Sequence, residues 1–331
     1  MKKLICLCLA LLMCGVLYGC GSVKTGAIYT YDYLVSALGF ENKNDKITVF
    51  AEAIIINTED MSAEKRTELL EGTGENIAEA FADLYKKTVQ TLEFSHCAVA
   101  VISENISATA LSQISDFCLK LDKLNLSIRL VSTPNVKKLL SCTPVTSLAM
   151  GYDIITMLET ESLLRGIRYK NRFYETEALR KGELNIFSLP AIKTEQEKFF
   201  VDGISVFKED EFSLKLNNEQ AIIYSIATDS QKGGKFLLDS AEYEILTCLT
   251  TAQLSRNNPD TVIFTTKIKT TCNKQIIKKK IQELFEYSKQ FETDIFSLGN
   301  ILAHRDTETW QKVKNNYGEY YRNLKLRVIM K

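Results

Sequence analysis

Lys2 and Lys3 are followed by an apolar run, Leu4 to Val16, that closes on Leu17-Tyr18-Gly19-Cys20-Gly21-Ser22. A charged start, a short apolar stretch and a small residue at the exit make an export signal. The run is too short to cross a bilayer as a helix, which takes about 20 apolar residues. A small residue followed at once by cysteine reads as a lipobox, with cleavage between Gly19 and Cys20. The Cys20 thiol then takes a diacylglyceryl group and its freed amine a further acyl chain such as palmitate. Each buried acyl CH₂ contributes about 0.8 kcal/mol, so two or three chains anchor where one does not. The plainer reading is an ordinary signal peptide with a chance cysteine, and the bulk of Tyr18 is the point in its favour. With Cys20 as the lipid attachment site, everything after Ser22 must fold as a body tethered outside the membrane.

About 310 residues remain, long for one domain and enough for two or three. The apolar fraction of 45% and charged fraction of 25% are those of an ordinary globular protein. No second run approaches a membrane span. Lys plus Arg and Asp plus Glu number 41 each, and loss of Lys2 and Lys3 leaves a slightly acidic chain. This balance argues against nucleic acid as a partner. Beyond the signal and Cys20 the cysteines are Cys97, Cys118, Cys142, Cys248 and Cys272. They are scattered and never form a CxxC pair, which disfavours a zinc site. Most sit in apolar or helical patterns, where a thiol acts as a small hydrophobe. One disulfide remains open to an exported chain.

In chain order, Val23 to Thr30 reads as a tether. Tyr31 to Phe40 and Ile47 to Asn57 read as a hairpin around Glu41 to Lys46. Glu71-Gly72-Thr73-Gly74-Glu75-Asn76 precedes a helix whose Ile77, Ala80, Phe81, Leu84 and Tyr85 fall three and four apart. Gly-Thr-Gly invites a phosphate-loop reading, but no lysine follows at the required spacing. A turn with Thr73 as the helix cap is the plainer expectation. Ala98 to Ile102 and Ser127 to Ser132 read as buried strands, with helices over Ala108 to Leu124, Asn135 to Leu140, Val145 to Thr160 and Phe173 to Lys181. Strand-helix-strand order points to crossovers and a largely parallel sheet.

Leu184 to Pro190 reads as a crossing into a smaller unit with strands Phe199 to Phe207 and Phe212 to Leu216, then a helix over Glu219 to Ala227. Glu209, Asp210 and Glu211 suit a solvated turn better than a metal or acid-base cluster. Asp229 to Lys235 reads as a linker. Tyr243 to Ser255 and Thr261 to Thr270 make a second hairpin, followed by an amphipathic helix over Lys274 to Phe291. Its Lys278-Lys279-Lys280 run suits either anionic headgroups or a solvent face. Asp294 to Ala303 and the stretch around Trp310 read as helices, and Leu324 to Met330 as a closing strand. The expected fold class is therefore α+β (mixed α/β), three consecutive domains behind a lipoprotein signal. The expected bounds are 1–19 signal, 20–30 tether, 31–183, 184–240 and 241–331.

Catalytic chemistry has little to work with here. His96 and His304 are the only histidines, far apart and in different expected units, which disfavours triads and multi-histidine metal sites. No nucleophile elbow, zinc-protease, phosphate-loop or dinucleotide motif appears. The expectation is a non-enzyme with no cofactor and no metal. His96, beside a strand, reads as a ring bridging two elements.

The order of several stretches resembles the Ger(x)C family, the lipoprotein C subunit of spore germinant receptors. They are Glu71-Gly72-Thr73-Gly74 before a helix with Glu79-Ala80, Ser95-His96 leading into Val99 to Glu104, Leu189-Pro190 and Asp202 to Lys208. Phe291 to Gly299 and Trp310 complete the set. Tyr317 or Tyr320 stands where the family carries a second tryptophan, and the chain ends at Lys331 in or just after a strand that relatives extend. The resemblance implies three α+β domains, no catalysis, and location at the spore inner membrane. It also implies assembly with two integral-membrane partners, a receptor-like A subunit and a transporter-like B subunit, to trigger germination on small nutrients. The rival reading is a solute-binding lipoprotein that passes a ligand to a transporter. It requires two similar α/β lobes about a cleft, against which the hairpin-plus-helices ending argues. An exported hydrolase ranks below both.

Overall fold

Asn44 and Asp45 both adopt positive φ, 52° and 60°, the two-residue turn whose twist suits a tight hairpin. They join β1 (Tyr33–Lys43) to its antiparallel partner β2 (Lys46–Ile55). The computed structural model describes residues 33–55, 66–88, 91–121, 123–255 and 260–331. Cys20, the signal, the tether and the tip of the second expected hairpin lie outside these residues.

The Gly-Thr-Gly stretch is no loop. It ends β3 (Arg66–Gly74), which pairs antiparallel with β2 from Ile47↔Gly74 onward. Asn76, not Thr73, caps the following helix α1 (Ile77–Lys86), accepting the Glu79 amide at 3.0 Å. The glycines serve helix-on-sheet approach instead. A Cβ on Gly72 would lie 2.2 Å from the Ala80 carbonyl oxygen and 2.5 Å from the Leu84 nitrogen. Glycine to alanine inside a strand ordinarily stabilises by about 0.5–1 kcal/mol. Here α1 must lift off the sheet, so Gly72→Ala is expected to destabilise by about 1–3 kcal/mol. A denaturation midpoint equal to or above the parent's would contradict this packing.

After a short β4 (Leu92–Glu93), β5 (Val99–Ser103) runs parallel to β1, and β6 (Arg129–Thr133) runs parallel to β5. Helix α2 (Ala108–Cys118) makes the crossover between them. As a buried parallel strand must be, β5 is apolar on both faces. Ala100 and Ile102 face a core with Phe40, Phe81 and Ile114, while Val99 and Val101 face one with Phe50, Leu139 and Ile154. The second core is covered by α3 (Val136–Leu140) and α4 (Met150–Arg165), and α5 (Phe173–Arg180) belongs to the first.

The stretch expected to cross into a new unit is itself a strand. β7 (Ile186–Glu195) joins β6 through Ser132↔Ala191, and β8 (Lys198–Lys208) and β9 (Glu211–Leu216) continue antiparallel. The sheet order is β3-β2-β1-β5-β6-β7-β8-β9, with β4 alongside β1. Phe187, Leu189 and Phe207 join the first core, whereas Ile204, Val206, Leu214 and Leu216 join a third one with α6 (Asn218–Ala227).

A second sheet of order β10-β11-β12-β13 completes that third core. Its strands are β10 (Gly234–Leu238), β11 (Ala241–Leu254), β12 (Thr261–Thr270) and β13 (Lys325–Met330). β10 occupies part of the expected linker, because Gly233 and Gly234 at φ 127° and 100° turn the chain straight into a strand. β13 pairs parallel to β12, Thr261↔Lys325 to Thr266↔Met330. Between them run α7 (Lys274–Gln290), α8 (Leu298–Arg305), α9 (Thr307–Val313) and α10 (Tyr317–Asn323). The mixed α/β class expected from the sequence is the class observed.

Candidate functional site

Cys20, the one site residue named from the sequence, lies outside the described residues. The other candidates can be placed. His96 is exposed, and among the described residues its carbonyl accepts from the Tyr152 hydroxyl at 3.5 Å. It does not bridge two elements. His304 hydrogen-bonds through Nδ1 to the Asn300 carbonyl at 2.7 Å within its own helix.

The acidic trio splits. Glu209 and Glu211 are exposed, but Asp210 is buried and accepts from Arg180 Nε at 2.8 Å. Arg180 also meets Glu177 at 3.2 Å, so the β8–β9 turn is pinned to α5 by a buried ionic cluster. The solvated-turn reading fails for Asp210, whose guanidinium partner lies 30 residues earlier in the chain. The lysine run divides likewise. Lys280 bridges Glu219 at 2.8 Å and Asp239 at 2.9 Å, and its hydrogen bonds to these two carboxylates hold its ammonium above the usual range. Lys279 pairs with Glu283 at 3.5 Å on the open side of α7.

All five body cysteines are free thiols. Burial pushes Cys97 up to about 12 and Cys248 up to about 11, which makes both poor nucleophiles at neutral pH. Among the described residues no group of three or more His, Cys, Asp or Glu side chains is placed to hold a metal ion.

Sequence reasoning missed two buried carboxylates. Glu52 is 3% exposed in mid-strand β2. Its oxygens accept the Met150 amide at 2.7 Å, the Gly151 amide at 2.9 Å and the Ser36 hydroxyl at 2.6 Å. It thereby receives the start of α4, a helix end whose amides have no intrahelical partner. Gly151 belongs there because a Cβ would sit 2.4 Å from the Ser36 carbonyl oxygen. Asp294, fully buried, does the same before α8, accepting from Phe296 N at 3.2 Å, Gly299 N at 2.8 Å and the Tyr317 hydroxyl at 2.8 Å. A lone carboxylate inside an apolar stretch was the available signal for Glu52; Asp294, with Glu292 two residues before it, carried no such mark. Both fix helices in place.

Among several surface concavities, two bear on ligand or partner binding. One, of about 540 Å³, is bordered by α4, the connection after it and α5, and carries Arg129, Arg168 and Arg172. The other, of about 260 Å³, lies where β7 and α6 meet the second sheet and α8. Its polar groups include Arg168, Lys170, Ser188, Tyr224, Ser230 and Thr250, and the Ser188 and Tyr224 hydroxyls are 3.3 Å apart. The first volume lies within the range of small-ligand sites of about 300–1,000 Å³ and the second just below it, and the surroundings offer hydrogen bonds and charge.

Residues 30–193 match a family model described as the spore germination protein N-terminal domain. Residues 240–331 match one described as spore germination B3/GerAC like, C-terminal. Among solved structures, the crystal structure of the GerBC protein aligns with a TM-score of 0.51 at 14% identity. The alignment covers 88% of this chain and 95% of that one. No curated protein matches. At that identity the likeness to GerBC speaks for the fold, and the two family models, in order along the chain, speak for the kinship.

Proposed function

Since this chain belongs to the Ger(x)C family of spore germination proteins, we propose that it is the lipid-anchored, non-enzymatic subunit of a germinant receptor. It assembles with two integral-membrane subunits, the A and B partners, at the spore inner membrane, and the complex triggers germination in response to nutrients. The observation that carries this reading is the pair of family matches spanning residues 30–193 and 240–331. The lipobox at Cys20 supplies the anchor, and among the described residues no helix is long and apolar enough to cross a membrane. Anchoring confines the body to a plane beside its partners, which raises effective concentration and lets modest interfaces assemble a complex. The proposed units are 31–183, 184–240 and 241–331, the middle one lending β7, β8 and β9 to the first sheet, and β10 and α6 to the second sheet and its core.

The solute-binding alternative calls for two similar lobes about a cleft. Instead the second sheet is a meander of three strands closed by a parallel fourth, unlike the parallel centre of the first, which favours the receptor reading. Affinity capture of the tagged, lipidated protein from dormant-spore membranes, followed by mass spectrometry, should recover the two membrane subunits. Recovery of ABC permeases, or of no membrane partner, would sink the receptor assignment. The anchor has its own test. Cys20→Ala should abolish incorporation of labelled palmitate and release the folded body from the membrane fraction, and unchanged labelling would refute the lipobox.

A further inference from the structure

The 540 Å³ cleft has an electrostatic arrangement that the fold alone does not explain. Arg129 and Arg172 stand directly opposite each other in an isolated antiparallel bridge, so their side chains leave the backbone on one face. Like charges placed opposite in this way are destabilising. Arg129 is nevertheless fixed there: its Nη1 donates to Asn171 Oδ1 at 3.1 Å, and the buried Asn171 amide donates to the Leu130 carbonyl at 2.7 Å. Arg168, the third guanidinium on the cleft, makes no ion pair among the described residues, and neither does Arg172. Two carboxylates share the border without relieving this. Glu175 Oε2 is committed to the Arg172 backbone amide at 3.1 Å, and Glu159 pairs with none of the arginines. Glu161, one turn away from the cleft's Leu158, is already taken by Arg165 at 2.6 Å.

We propose that this cleft is a binding site for a phosphate oxyanion, held by Arg168 and Arg172 with Arg129 behind them. Guanidinium forks match paired oxygens on a phosphate, and several of them around one concavity are the usual means of recognising it. A bound anion would remove the opposition between Arg129 and Arg172. Two sources share this chemistry, a soluble phosphate ester and an anionic phospholipid headgroup. Leu163, on the border of the cleft, and Leu164 next to it at the end of α4 are 82% and 61% exposed. Bare leucines among cations suit the boundary between headgroups and acyl chains. The site itself stands on the side chains of the cleft and does not depend on the germination assignment.

The test is titration of the full, lipidated chain in detergent by calorimetry. The probes are inorganic phosphate, glycerol 3-phosphate and the short-chain lipid dihexanoyl phosphatidylglycerol. Saturable binding is expected, weakened about tenfold or more in the double variant Arg168→Gln, Arg172→Gln. That variant should melt no lower than the parent in phosphate-free buffer, because like charge has been removed. Should it fold poorly, Arg172→Lys keeps the charge but loses the fork, and must still weaken binding. Tighter binding of the short-chain lipid than of glycerol 3-phosphate would assign the site to a headgroup. Equal affinity would assign it to a soluble phosphate. Absence of saturable binding to all three probes, or binding unchanged in the arginine variants, would overturn the proposal.

Discussion

Glu52→Ala is expected to destabilise the body by about 3–5 kcal/mol, because it leaves three buried donors without their acceptor at a cost of about 1–3 kcal/mol each. The reason is the company the carboxylate keeps. Two amides at the start of α4 and the Ser36 hydroxyl all donate to it inside a site 3% exposed. Alanine leaves those donors buried and without acceptors. Glutamine is the informative comparison. It keeps one acceptor oxygen but turns an NH₂ toward a donor, so Glu52→Gln should fall between parent and alanine. Denaturant unfolding of the three proteins at one pH gives the order directly. An alanine variant within about 1 kcal/mol of the parent would show that the start of α4 finds other partners.

How much of this was legible beforehand follows from the range of each signal. The hairpin through Asn44 and Asp45, the strand at Val99 to Ser103 and the helix over Lys274 to Gln290 are written in local periodicity, and the sequence reading places each within a few residues. β3 escaped notice because Gly72 and Gly74 look like loop residues until α1 is laid across them. β10 escaped for the same reason, since Gly233 and Gly234 punctuate a chain that turns without leaving the sheet. The end of the crossing stretch was legible as apolar, yet nothing local tells β7 to add to β6 rather than begin a new sheet.

Charge was the least legible layer. Asp210 sits among acidic neighbours that are exposed, and only Arg180, 30 residues earlier, takes it inside. Glu52 meets its amide partners at a separation of nearly a hundred residues. A sequence gives the residue types in such contacts and leaves their pairing to the topology. The same holds for the arginine cleft, where Arg129 and Arg172 become neighbours only through a bridge 43 residues long.

The second large effect is a dependence of stability on pH that traces to Asp294. Burial pushes its carboxyl up to about 6, against the pull of the Gly299 amide, the Tyr317 hydroxyl and the Phe296 amide. Its ordinary value is 3.8, so between these two limits the folded chain holds a proton that the unfolded chain has released. Stability on this account is complete below about pH 4 and declines as pH rises through about 6. The difference of roughly two pH units corresponds to about 3 kcal/mol. Glu52, raised by burial in the same direction, adds to the slope. The lowered carboxyls act elsewhere: hydrogen bonds hold Asp83, Glu93 and Asp306 below their ordinary range, so their contributions change in more acidic solution. Asp294→Asn keeps one acceptor for the turn before α8 but cannot titrate. Unfolding free energies measured from pH 4.5 to 7 should therefore fall for the parent and fall much less for Asp294→Asn, the two curves lying closest at the acid end and separating toward neutral pH. Parallel curves across that range would mean that Asp294 folds with its charge intact, the three donors outweighing burial, and that the slope belongs to other groups.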